Sequence, residues 1–137
     1  MSKLLFNNKA YQYLKYFVLV IYVLFVLIYI NRVSLYAIDN KYLTIFAGSF
    51  PNLISSFLFT LIGMFYVIPM LYKTKKALFT TKYIWIINAI NIFIFLMIEY
   101  LHVIFKLGFW DNLDMIVTLI GIILSTTIYF NFRKHFK

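Results

Sequence analysis

The stretch EYLHVIFKLGFWDNLDMIVTLIGIILS, residues Glu99 to Ser125, carries three of the four acidic residues of a 137-residue chain between two apolar runs. Glu99 and His102 stand three apart near the end of one run, and Asp111 and Asp114 three apart at the start of the next. A polar turn of this kind between two helices predicts that both pairs meet at one membrane boundary. Working outward from that corner, the surrounding composition says which solvent the chain is built for. It is 64% hydrophobic and 12% charged, more apolar than a soluble domain of this length, so lipid is the expected solvent.

Four apolar segments are each long enough to cross about 30 Å of hydrocarbon. The first runs from about Tyr11 to Ile30, the second from Pro51 to Tyr72, the third from Tyr83 to about Phe105 and the fourth from about Leu113 to Phe132. The expectation is an all-α protein, a single domain over residues 1–137 forming a bundle of four transmembrane helices. The first run exceeds a usual signal-peptide core and lacks a good small-x-small cleavage site, so it reads as an anchor rather than a cleaved leader. Residues 31–50, including YLTIFAGSF, are too apolar for a free loop and suggest a short interfacial helix or a shallow re-entry. Pro51 reads as a first-turn proline of the second span, and Pro69 as a bend near its inner end.

Net charge is +9, and its distribution matters more than its sum. Ten basic residues fall before the first span, between the second and third, and after the fourth, whereas Arg32, Lys41 and Lys106 fall on the opposite side. Basic residues in short loops stay cytoplasmic, so both termini are expected inside and all four acids in the outer half. The excess charge is then an orientation signal with affinity for anionic lipid, and no nucleic-acid partner is expected. Tyr72, Tyr83, Trp85, Tyr129 and Trp110 fall where aromatic rings favour headgroup depth. The chain contains no cysteine, which removes disulfides and thiol chemistry.

Within the spans the polar residues are ordered. Asn88, Asn91, Phe95, Glu99, His102 and Lys106 recur at spacings of three and four, as do Asp111, Asp114, Thr118, Gly121 and Ser125, and, more briefly, Asn52, Ser56, Thr60 and Gly63. Turning these faces toward one another shields them from hydrocarbon, and Gly121 with Ser125 permits a close helix approach. Glu99 lies about 24 Å along its helix from Tyr83, in the outer third of the membrane. A charge at the bilayer centre costs roughly 2.5–3.5 kcal/mol on insertion scales, so a carboxyl there implies partners or a role. Lys106, Arg32, Asn52 and a protonated His102 are candidate partners.

Bland readings stand beside these. Asp111 and Asp114 also fit an N-cap and an N3 acid at the positive end of the last helix, Glu99 fits a structural ion pair, and the Asn88 and Asn91 pair fits inter-helix glue. The ligand-site candidates are Glu99, His102, Asp111, Asp114, Asn52, Arg32 and Lys106. No catalytic residue and no cofactor is expected, and the identity of any metal is open.

The stretch resembles the VanZ-like family of small bacterial membrane proteins, whose pattern is an acid, Gln three later, a basic residue, two Asp three apart, then Asn, Gly and Gly down the last helix. Here the positions are Glu99, His102, Gly108, Asp111, Asp114, Thr118, Gly121 and Ser125. The acids and the first glycine match; His102 replaces Gln, Gly108 stands at the basic position with Lys106 nearby, Thr118 replaces Asn and Ser125 the second Gly. The SFPN of Ser49 to Asn52 is also in the family's style. The resemblance covers the second to fourth spans. It implies a bacterial plasma-membrane protein, tied in some members to resistance to the glycopeptide teicoplanin, with no settled biochemical activity to carry over. The partners expected from the residues are membrane lipid, a lipid-linked or glycopeptide ligand at the outer surface and, in a homo-oligomer, further copies of the chain.

Three functions compete. The first is an outer site for an amphiphilic antibiotic or a lipid-linked cell-wall intermediate. The second is a proton- or ion-coupled transporter working as a homodimer through Glu99 and His102, though below Asn88 no acid continues such a path. The third is a metal-dependent enzyme on a lipid phosphate using Glu99, His102, Asp111 and Asp114, for which no phosphate clamp or nucleophile with its base is visible. The topology itself is open to test: reporters fused at either end should be active only in the cytosol, and a tag in the turn after Lys106 should be accessible only from outside.

Overall fold

The computed structural model describes residues 9–72, 80–106 and 111–133. Among them there is no strand. The helices are α1 (Lys9–Ile30), the short α2 (Arg32–Tyr36), α3 (Lys41–Ile62), a π-helical stretch Gly63–Val67, α4 (Ile68–Tyr72), α5 (Thr81–Ile104) and α6 (Asn112–Phe132). Four stretches are long and apolar enough to cross a membrane: Tyr11–Ile30, Lys41–Leu71, Thr81–Ile104 and Asn112–Phe132. The protein is therefore an all-α, multi-pass bundle, and its four crossings are the four apolar runs of the sequence.

The second crossing departs from its expected bounds. Asn40 takes an extended conformation and its side chain accepts from the backbone N–H of Tyr42 (2.9 Å) and Leu43 (3.3 Å). This N-cap satisfies otherwise orphaned donors and starts the helix at Lys41, ten residues before Pro51. Pro51 is accordingly interior, not a first-turn residue, and the Ala47 carbonyl loses its usual i+4 donor. The crossing runs 31 residues, about 46 Å of helix against about 30 Å of hydrocarbon, so it must tilt or project beyond the core. Residues expected as an outer segment are thus divided between the short helix α2, which packs on the first turns of α3 with the Tyr36 hydroxyl near Gly48, and α3 itself.

At the other end the helix widens. The Ile68 N–H donates to the Gly63 carbonyl, an i→i−5 bond, one residue before Pro69. A π turn beside a proline is a known way of accommodating a missing donor within a continuous helix.

The long second crossing is the hub. It packs against α1, α2, α5 and α6, and 56% of its apolar window is buried, against 6% for α1, which touches the bundle along one edge and presents the rest to lipid. The core contains Leu14, Ile54, Phe57, Leu61, Met64, Phe65, Ile84, Ile87 and Tyr129. Tyr129 is fully buried against Phe65, at 5.6 Å between centroids, with the Arg133 guanidinium 5.7 Å from its ring. It is a core residue and not the interfacial ring its position in the sequence suggests. Trp85 is exposed as expected and Tyr83 is half-buried; Trp110 and the side chain of Tyr72 lie outside the described residues.

The closest helix contact is between α3 and α6. A Cβ placed on Gly121 would overlap the Ser56 hydroxyl and the Leu53 carbonyl, so the two backbones meet where only glycine fits. Gly63 has a milder form of the same constraint: its Cβ would come within 2.9 Å of Ile87, a side chain that can move. Gly121→Ala should lower stability by about 1–3 kcal/mol, as overpacking against an unyielding backbone does, whereas Gly63→Ala should cost less. Thermal unfolding of both variants in detergent micelles measures the difference.

Candidate functional site

Three helices turn polar faces inward. Ser56 and Thr60 of α3, Asn88, Asn91 and Glu99 of α5, and Thr118 and Ser125 of α6 are all buried, while the residues around them on α5 and α6 face outward. Their hydrogen bonds form an inner layer. Thr60 donates to Asn88 Oδ1 (3.1 Å), Asn88 Nδ2 donates to Thr126 (2.9 Å), and Asn91 Nδ2 donates both to the Ser56 carbonyl (2.7 Å) and to Thr60 Oγ1 (3.0 Å). Ser125 is held by its own helix, donating to the Gly121 and Ile122 carbonyls (2.8 and 2.9 Å). The two asparagines are therefore the glue between three helices, and Thr60 is their shared partner.

The layer at the end of α5 and the start of α6, the outer one in the expected topology, is different in kind. Glu99 is 5% exposed, beside the backbone of Asp111, with Asp114, His102 and Asp111 as its charged neighbours. Asp114, on the first turn of α6, is half-buried beside the side chains of Ser49 and Asn52, with Asp111 and the guanidinium of Arg32 close enough to act on it electrostatically. Asp111 caps α6: it is extended, and its Oδ1 accepts from the Leu113 N–H at 2.7 Å. The capping reading of Asp111 thus holds, and it coexists with the proximity of that residue to Glu99. Arg32 is itself oriented by Tyr36, donating through Nε to the phenol oxygen at 2.7 Å with its guanidinium 5.3 Å from the ring centre.

Of the seven sequence candidates, Glu99, Asp111, Asp114, Asn52 and Arg32 are drawn into one corner, where α5 ends and α6 begins. The pairing within it differs from expectation, because Asn52 and Arg32 face Asp114 rather than Glu99. His102 stays exposed, one turn above Glu99 and near enough to act on its charge. Lys106 is exposed with φ 55°, taking the left-handed position where the chain leaves α5, two residues past Ile104. Such a position favours glycine, and Lys106 is not among the charges that act on Glu99, which are Asp114, His102 and Asp111. The basic family position at Gly108 lies outside the described residues. Ser49 was missed, although it extends the Asn52, Ser56, Thr60 stripe by one more turn. Among the described residues, no group of three His, Cys, Asp or Glu is arranged to hold a metal ion.

Two buried polar atoms lack a hydrogen-bond partner among the described residues: Asn91 Oδ1 and Thr118 Oγ1. Thr118 lies one turn below Asp114 on the same face of α6, between the outer acids and the inner asparagine layer. Comparison with family models, with curated proteins and with solved structures found no match.

Thr60→Val keeps the shape of the side chain while removing both the donor to Asn88 and the acceptor for Asn91. Hydrogen bonds between membrane helices are worth about 0.6 kcal/mol on average and up to about 1.7. The variant should lose roughly 1–3 kcal/mol in a reversible unfolding titration in mixed micelles, whereas Thr127→Val, at an exposed position where the hydroxyl bonds only within its own helix, should be nearly neutral.

Proposed function

We propose that this chain is a VanZ-like protein of the bacterial plasma membrane, with both termini in the cytoplasm, whose outer corner binds an amphiphilic ligand and so contributes to resistance to glycopeptides such as teicoplanin. The single observation that carries the reading is the placement of Glu99, a carboxyl 5% exposed within a crossing, against two aspartates at the start of the next helix. Keeping an acid in a membrane is costly, and intramembrane acids are by default functional sites. The bundle is already held by the Gly121 approach and the asparagine layer, neither of which needs Glu99. A corner at headgroup depth suits a ligand with one polar end and one apolar end, which an antibiotic with an acyl tail and a lipid-linked cell-wall intermediate both have.

The rival reading as a coupled transporter is less favoured. Below the corner, Asn88, Thr60 and the Asn91 amide nitrogen are bonded to one another, and Leu61, Met64 and Phe65 are packed with at most 1% exposure. No second acid continues inward from them.

Glu99→Gln and Asp114→Asn, expressed at wild-type level, should each remove most of the protection that the chain gives against teicoplanin and weaken binding of a lipoglycopeptide to the purified protein about tenfold or more, the scale of one lost hydrogen bond to a charged group. Unchanged susceptibility together with unchanged binding in both variants would end the proposal.

A further inference from the structure

The outer corner has an imbalance that narrows what it can hold. Its acids are Glu99, Asp111 and Asp114; Asp111 accepts from the Leu113 N–H, and the side chains of Ser49, Asn52 and Arg32 all face Asp114. Glu99 has the Asp111 backbone and, from an exposed position, His102.

A second observation lies just beneath. Thr118 is fully buried and its hydroxyl has no hydrogen-bond partner among the described residues, not even the carbonyl one turn back that Ser125 and Thr127 use on the same helix. Helical side chains lean toward the N-terminus of their own helix. The α6 N-terminus is at the outer corner, so Thr118 leans outward toward it. The α5 N-terminus is at the opposite face, so Glu99 leans inward. A hydroxyl and a carboxyl from facing helices are thereby directed to one depth, just below the two aspartates.

We propose that this corner is a site for a primary ammonium group, held by Glu99 and the Thr118 hydroxyl with Asp111 or Asp114 as the third acceptor. The proposal rests on the corner being a ligand site and adds the chemistry of the ligand. The carboxyls offer only acceptors when ionised and the Thr118 hydroxyl has free lone pairs, so a ligand that brings donors and positive charge matches them. An ammonium brings three N–H donors on one atom and reaches acceptors set on different helices. A metal ion would need its carboxylates closer together, and no such set of three exists among the described residues. At this depth the ammonium can come from a lipid headgroup or from a soluble amine, and the chemistry of the site is the same for both.

The test uses the full-length protein in dodecylmaltoside micelles and two matched probes, dodecylammonium and N-acetyldodecylamine, which share a chain and differ in the charged donor group. Wild type should bind dodecylammonium roughly tenfold or more tightly than the acetylated probe, the scale of one hydrogen bond to a charged group. Thr118→Val should lower that preference severalfold while leaving the melting temperature unchanged or raised, since it removes an unpartnered buried hydroxyl at constant shape. Glu99→Gln should abolish the preference. Displacement of the probe by phosphatidylethanolamine but not phosphatidylcholine would assign the ammonium to lipid, and displacement by ethylammonium alone would assign it to a soluble amine. Equal binding of the two probes would overturn the ammonium assignment and leave an amphiphile site standing. Binding of neither probe, nor of a lipoglycopeptide, would overturn both. A Thr118→Val protein with the full wild-type preference would remove Thr118 from the site.

Discussion

The close approach of α3 and α6 at Gly121 is the contact on which the rest of the bundle depends. In hydrocarbon there is no hydrophobic force between helices, so packing and hydrogen bonds must hold them together. Where the Gly121 backbone lies against Leu53 and Ser56, the adjacent residues on both helices come within reach of α5. Asn91 then bonds to the carbonyl of Ser56, a residue of the contact itself, and Asn88 joins Thr60 to Thr126. A single β-carbon at position 121 would overlap the Ser56 hydroxyl and the Leu53 carbonyl, so the α3–α6 contact would have to shift. The same contact fixes the depth of the outer acids, because Asp114 and Ser49 each lie seven residues outward of the meeting point of Gly121 and Ser56.

Two layers with different chemistry follow from that geometry. The inner layer consists of neutral amides and hydroxyls that satisfy one another, with one amide oxygen left over. It stabilises and specifies the packing. The outer layer carries three carboxyls and is not self-satisfied in the same way, since its donors gather on Asp114. Stability alone gives no reason to keep Glu99 there, as an apolar residue of similar size would fill the space without an uncompensated acid. The contrast between a closed layer and an open one within a single bundle is the physical support for the proposed binding site where α5 ends and α6 begins.

Much of this architecture was legible in the sequence because lipid leaves few alternatives. Each crossing needs about 20 apolar residues, and polar residues spaced three and four apart must share a face. The stripes through Asn91 and Glu99, Thr118 and Gly121, and Ser56 and Thr60 are the faces that meet. What could not be read was governed by competition between local signals. Pro51 looked like a helix start, but the Asn40 cap prevails because it satisfies two backbone donors at once, and a helix in a packed bundle tolerates an interior proline. Charge along the sequence points to Arg32 and Lys106 as partners of Glu99, but Arg32 is turned by Tyr36 and acts on Asp114, and Lys106 is not among the charges that act on Glu99. Tyr129 falls among the rings expected at headgroup depth, yet it continues the Thr118, Gly121, Ser125 face by one more turn and is buried against Phe65. Ser49, which the sequence marks only as part of the SFPN stretch, joins the polar face because its helix begins at Lys41 and not at Pro51.

The central claim is that Glu99 and Asp114 face each other across the bundle, sheltered from lipid. Because the chain has no cysteine, a pair of introduced ones is unambiguous. Glu99→Cys with Asp114→Cys, treated in native membranes with a short bis-methanethiosulfonate reagent, should give an intramolecular link detectable by mass spectrometry, while Tyr100→Cys with Asp114→Cys should not, since Tyr100 is 55% exposed on the lipid-facing side. A link formed equally by both pairs, or by the Tyr100 pair alone, would contradict the account.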